Sequence, residues 1–206
     1  MTEEINLSFK NLNGSDIFKL AEDFAARQFP LIRIIKLGYN NLGDEGAAVV
    51  SKFLSHNRTV TCVDLGFNRI GDAGMQCIAT ALPLNRTLEV LYLSGNFFTS
   101  IGFQYLSDGI ARNNSLKALY LTGNNAKDVG AKFLAEGLLR NNSVTKLYLN
   151  GNRIGSKGCD FISKLLMQNA TLRHINLVIH IMCYSVDKST FICNNCFMYL
   201  LCEYSE

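Results

Sequence analysis

Asparagine recurs at positions 40, 68, 96, 124 and 152, each 28 after the last, and glycine keeps the same step at 46, 74, 102, 130 and 158. A second asparagine series runs in phase through 57, 85, 113, 141 and 169. Ahead of the first series, apolar residues hold fixed offsets: Ile32, Ile35 and Leu37; Val60, Val63 and Leu65; Leu88, Leu91 and Leu93; Leu116, Leu119 and Leu121; Val144, Leu147 and Leu149. A chain that writes one short unit five times cannot wrap a single central core. Each unit must bury its apolar face against its neighbours, so the fold is a stacked array. Leucine and asparagine, 28 and 21 of the 206 residues, dominate the composition for this reason.

Each unit divides into a strand and a helix. The L-x-L pair alternates with period two, which turns one face of a short strand inward. The asparagine three positions later stands where the chain leaves the strand, and its amide can bond backbone groups that the turn leaves unpaired. Asp44, Asp72, Ser100, Asp128 and Ser156 follow at the next offset and are expected to be helix N-caps. A helix of about 13 residues then runs to the second asparagine. Its inward stripe pairs Val50 with Leu54, Ile78 with Leu82, Leu106 with Ile110, Leu134 with Leu138, and Ile162 with Leu166. The repeated glycine falls in the first helical turn, where a missing side chain permits close approach of the neighbouring unit.

Strand–helix–strand connections are right-handed, and strands stack about 4.8 Å apart while helices need about 9–10 Å. That mismatch bends the array by roughly 25–30° per unit. The predicted fold is α/β: a right-handed curved solenoid with parallel strands on the concave side and helices on the convex side.

The pattern L-x-x-L-x-L-x-x-N-x-L, as in Leu147 to Ile154 with Gly158 beyond, resembles the ribonuclease-inhibitor-like subfamily of leucine-rich repeat proteins. Helix-bearing repeats of this length set that subfamily apart from shorter kinds. The resemblance covers residues 31–177 and implies a protein-binding scaffold. It also admits two narrower expectations: a regulator of a small GTPase resembling the Ran GTPase-activating proteins, or the sensing fragment of a NOD-like receptor. The strongly acidic stretch that ends the Ran-type repeats is missing, since positions 178–206 hold only Asp187, Glu203 and Glu206 as acids. No nucleotide-binding module accompanies the repeats.

Both ends depart from the consensus. Residues 1–30 read as a degenerate N-terminal capping unit, with Leu7 and Phe9 falling one repeat step before Ile35 and Leu37. Ser15 or Asp16 would cap a helix carrying Ile17, Leu20, Ala21 and Phe24, ended by Pro30. Residues 31–177 form the array of five units and the start of a sixth. Residues 178–206 read as a non-repeat, cysteine-rich tail, with His180 in place of the next asparagine.

The chemistry points away from catalysis. Three histidines, no phosphate loop and no motif-like carboxylate pair leave no catalytic constellation. Cys183, Cys193, Cys196 and Cys202 lack a standard zinc spacing and read as free thiols. No catalytic residue, metal or cofactor is therefore expected. A net charge of +3 is too small to suggest nucleic acid or a membrane surface. The acidic N-terminus and seven cysteines suggest a reducing compartment, cytoplasmic or nuclear. The sequons at Asn57, Asn85, Asn113, Asn141 and Asn169 keep the repeat step and read as structural.

One side chain per strand must point out of the concave face between the inward pair. That row reads Lys36, Asp64, Tyr92, Tyr120, Tyr148 and Asn176, with small residues at Gly38, Gly66, Ser94, Thr122 and Asn150 beside it. Tyrosines in file suit protein recognition because a rigid ring carries a polar tip. They also suit a β surface, as a purely structural ladder. The expected function is a non-enzymatic, monomeric module that binds a protein partner on this row.

Overall fold

Each inward pair of apolar residues sits on or beside a short strand, and the strands align on the repeat step. The computed structural model describes residues 3–19, 32–179 and 197–202, with backbone alone for 178, 179 and 197–202. Among these residues eight parallel strands form one sheet in chain order. They are β1 (Glu4–Asn6), β2 (Ile34–Lys36), β3 (Cys62–Asp64), β4 (Val90–Tyr92), β5 (Ala118–Tyr120), β6 (Lys146–Tyr148), β7 (His174–Ile179) and β8 (Phe197–Cys202). From β2 to β7 the register follows the repeat step, Ile35 to Val63 and so on through Leu91, Leu119, Leu147 and Ile175. Helices α1 (Gly43–His56), α2 (Asp72–Ala81), α3 (Ser100–Ile110), α4 (Lys127–Leu139) and α5 (Ser156–Gln168) fill the intervals. Pro83 has no N–H to continue α2, which tightens into a 3-10 turn at Leu82–Leu84.

One apolar core runs the length of the array. Every apolar residue at the repeat offsets, and every inward helical pair, is buried in it, most of them completely. Truncating a leucine at the centre removes contacts from neighbouring units as well as its own.

Two asparagine ladders stitch the units together. Asn68, Asn96, Asn124 and Asn152 each donate their carboxamide to a carbonyl 31 positions back: Leu37, Leu65, Leu93 and Leu121. The last three also hold the carbonyl of Leu93, Leu121 or Leu149 three positions back. The second series works at the helix ends. Asn85, Asn113, Asn141 and Asn169 donate to Leu54, Leu82, Ile110 and Leu138, again 31 positions back. Their carboxamide oxygens accept the N–H groups two and three positions ahead. Asn85, Asn113 and Asn141 are buried, so these sequons carry structure.

The helix caps differ from expectation. Asp44, Asp72, Ser100, Asp128 and Ser156 lie in the first helical turn rather than at the cap position of their own helix. The three aspartates serve the helix of the next unit instead. Asp44 accepts from the Gly71 N–H at 2.6 Å, and Asp128 from the Gly155 and Gly158 N–H groups at 2.7 and 2.9 Å. Asp72 accepts from the Thr99 and Gly102 N–H groups at 2.7 and 2.8 Å and from the Thr99 hydroxyl at 2.8 Å. A carboxylate at a helix N-terminus satisfies orphan donors and meets the positive end of the helix dipole. The repeated glycine makes room for it, since a Cβ at Gly102 would stand 2.8 Å from the Asp72 carboxylate.

Where no carboxylate arrives, the loop takes another shape. Gly71, Thr99 and Gly155 are extended. The equivalent Gly43 and Lys127 are left-handed, at φ +57° and +54°, and donate instead to the carbonyls of Asn68 and Asn152 in the following unit. The preceding unit offers Lys127 only Ser100, which is shorter and uncharged, and offers Gly43 only Gly14, which has no side chain and lies against Gly46 as Asp128 lies against Gly158.

The N-terminal unit carries two extra residues. Ile5, not Leu7, pairs with Ile35, a step of 30 that preserves the parity and therefore the buried face. Its helix is capped by Asn13, whose oxygen accepts from the Ser15 and Asp16 N–H groups, rather than by Ser15 or Asp16. Ile17 is buried as expected, and Leu20, Ala21, Phe24 and Pro30 lie outside the described residues. At the other end β8 pairs with β7, matching His174 to Phe197, a shorter step than the repeat takes. The tail thus extends the sheet out of phase. Cys183, Cys193 and Cys196 lie outside the described residues.

Leu121→Ala should cost about 2–5 kcal/mol of unfolding free energy, because it opens a cavity in mid-core. Asn124→Ala should cost about 1–3 kcal/mol by removing two buried hydrogen bonds, although the Leu93 and Leu121 carbonyls keep those from Asn96 and Asn152. Urea unfolding of the two variants measures both. Asp72→Ala should lose about 1–3 kcal/mol with its three accepted bonds, whereas Lys127→Gly should gain about 0.5–1 kcal/mol by relieving a left-handed lysine. Thermal melts that rank these two alike would refute the capping scheme.

Candidate protein-binding face

The sheet places the expected row as its register requires. Lys36 aligns with Asp64, then Tyr92, Tyr120, Tyr148 and Asn176. Tyr92 and Tyr120 stack with ring centroids 4.1 Å apart and planes 16° from parallel, and Tyr120 and Tyr148 at 4.2 Å and 8°. His174 continues the file from the adjoining row, tilted at 5.1 Å from Tyr148. The strand spacing of about 4.8 Å brings equivalent rings to stacking distance without any backbone adjustment. Burial pushes the Tyr120 and Tyr148 hydroxyls above the ordinary tyrosine range.

The rings are half-buried rather than fully exposed. Each stack contributes about 0.5–1.5 kcal/mol beyond area burial. Tyr120, with a neighbour on both sides, therefore stabilises the free protein as well as presenting a surface. On one flank lie Val90, Ala118 and the exposed Lys146, and on the other Ser94, Thr122 and Asn150. The file is a flat apolar strip with a hydroxyl edge.

One end of the row is already engaged. The Lys36 ammonium bonds Glu4 at 2.8 Å, and that hydrogen bond holds its pKa above the usual lysine range. Asp64 accepts from the Gly66 N–H at 2.8 Å. Its carboxylate also fills the space beside Gly38, where a Cβ would stand 2.9 Å away. Lys36 and Asp64 therefore help build the sheet face. Cys62 shares this face, and burial pushes its thiol up.

A second aromatic column lies one position beyond the small-residue row, at the loops leaving the strands. Phe9 and Tyr39 stack at 4.3 Å, and Tyr39 and Phe67 at 4.4 Å. All three are exposed, Phe9 by 72%. All three are also left-handed, at φ +59°, +57° and +55°. The equivalent position in the next three units is Gly95, Gly123 and Gly151, likewise left-handed. Holding a non-glycine residue there costs about 1–2 kcal/mol each. Two stacks return about 0.5–1.5 kcal/mol apiece, so they do not offset three such residues. The column ends where the Phe67 ring covers Gly95, at which a Cβ would come within 2.4 Å of the ring. Sequence reasoning missed these rings, although glycine at 95, 123 and 151 marks the position as one that demands positive φ.

Among the described residues no helix is long and apolar enough to cross a membrane. A solved structure of leiomodin-1 actin-binding site 2 is similar at a TM-score of 0.49 and 23% identity, over 81% of each chain. No curated protein matches the sequence. One Leucine Rich repeat family profile matches residues 30–51, 56–79, 112–135 and 140–163, and a second matches residues 87–108. Together these matches span more than half of the chain and follow the strand–helix units, and the chain belongs to the leucine-rich repeat proteins.

Proposed function

We propose that this chain is a non-enzymatic protein-binding module of the ribonuclease-inhibitor-like kind, working in the cytoplasm or nucleus, and that its partner lies on the concave sheet. Leucine-rich repeat domains typically serve protein–protein interaction, which supports the class. The observation that carries the site is the stacked file Tyr92–Tyr120–Tyr148. Three rings held at fixed spacing lose little conformational freedom when a partner covers them, so the surface is preorganised. Their exposed ring edges and hydroxyls match the tyrosine-rich composition of binding hot spots. Lys36 and Asp64 stand at one end and Asn176 at the other as the polar rim.

Stacking and binding can be separated by substitution. Tyr92→Phe, Tyr120→Phe and Tyr148→Phe keep the stacks, whereas alanine removes them. Each alanine change should weaken partner binding by about 1–2 kcal/mol, roughly 5–30-fold. Tyr120→Ala should also destabilise the free protein by about 1–3 kcal/mol through its two lost stacks. Affinity capture from lysate, quantified by mass spectrometry against the triple phenylalanine and triple alanine variants, identifies partners whose retention depends on the rings. If captured partners are retained equally by a folded triple alanine variant, the file is a structural ladder and the binding surface lies elsewhere.

A further inference from the structure

We propose that the aromatic column Phe9–Tyr39–Phe67 and the hollow beside it form a second binding site, for an acidic, ring-bearing segment of a protein partner. This surface is separate from the tyrosine file and does not depend on that reading. The hollow measures about 460 Å³ and is lined by Phe9, Asn11, Tyr39, Asn40, Asn41 and Arg69. It is an open, mostly polar depression rather than an enclosed pocket, with the rings along one side.

Its parts have distinct states of commitment. Asn40 is the floor: its amide donates to the Leu7 and Leu37 carbonyls and its oxygen accepts from the Lys10 and Leu12 N–H groups. The Asn11 and Asn41 side chains are exposed and make no hydrogen bond among the described residues. The Arg69 guanidinium is also exposed and joins no ion pair or hydrogen bond among them. It is the single charged group in the lining.

The backbone supplies a second, independent observation. Asn11 and Arg69 are left-handed, at φ +53° and +59°, as are all three rings. Arg153, three units on from Arg69, shares that backbone, but the three left-handed rings stand where the next three units use glycine, which marks a surface kept for something other than stability. The chemistry then selects the occupant. The faces of Phe9 and Tyr39 already stack on one another, so a flat side chain packs across their edges; a carboxylate pairs with the fork of Arg69, and the amides of Asn11 and Asn41 bond a peptide backbone. A nucleic acid strand would need a row of cations along its phosphates, and the lining offers one.

Nitrogen-15 NMR of the full chain tests this with two probes, N-acetyl-tryptophan and N-acetyl-tryptophanamide, which differ by the carboxylate. Saturable shifts are expected at the Asn11 and Asn41 side-chain amides and the Arg69 Nε, with the amide probe at least fivefold weaker. Arg69→Gln, a change of an exposed residue, should erase the difference between probes. Tyr39→Gly, which installs the residue found at 95, 123 and 151, should remove binding of both while the remaining cross-peaks keep their positions. Equal response to the two probes, no saturable shift, or an Arg69→Gln variant that behaves as the parent would overturn the proposal. So would tighter binding of a thymidine oligonucleotide, which would assign the hollow to nucleic acid.

Discussion

A side-chain amide that reaches a carbonyl 31 positions back is the interaction on which the array depends. It occurs in both asparagine series, once beside the sheet and once at the helix ends. The carbonyls it meets lie where the chain changes direction and its regular hydrogen bonding ends, and a buried carbonyl left without a partner would cost about 1–3 kcal/mol. Apolar burial alone would tolerate units of unequal length. Two amide ladders held on opposite sides of the same core do not, because both must remain in phase.

Much of this architecture is legible in the sequence. Period-two strands, the i, i+4 stripe and the repeat step are local patterns, and local patterns are what a string of residues exposes. The unit at 1–30 is legible in kind but not in register. Its two extra residues leave the alternation of inward and outward side chains unchanged, so parity gives no warning of the slip. Aspartate at 44, 72 and 128 reads as a capping residue, but for the wrong helix. The nearer helix is the obvious partner along the chain, whereas in space the next unit's N-terminus faces the carboxylate.

The candidate site divides in the same way. That Tyr92, Tyr120 and Tyr148 form a file follows from strand parity and register alone. That their rings are half-buried follows from stacking, which depends on rotamers chosen in the assembled sheet. The engagement of Lys36 and Asp64 is equally hidden, since Glu4 belongs to the irregular first unit and the Gly66 N–H to a turn. The Phe9–Tyr39–Phe67 column escapes notice for a different reason. Aromatic residues are poor indicators of positive φ, and only comparison with the glycines at the same register position exposes them.

The two loop shapes ahead of the helices make the units non-interchangeable parts. A unit bearing Asp72 supplies half of the joint that Thr99 completes, and the unit bearing Ser100 supplies nothing, so its successor must bend at Lys127 unaided. Joints of this kind have a direction and a memory of one neighbour. Gene duplication by unequal crossing-over would therefore copy the core faithfully yet create one mismatched junction, where a donor finds no acceptor or an acceptor no donor. Lengthening this array is then less a matter of adding units than of repairing the seam between two of them.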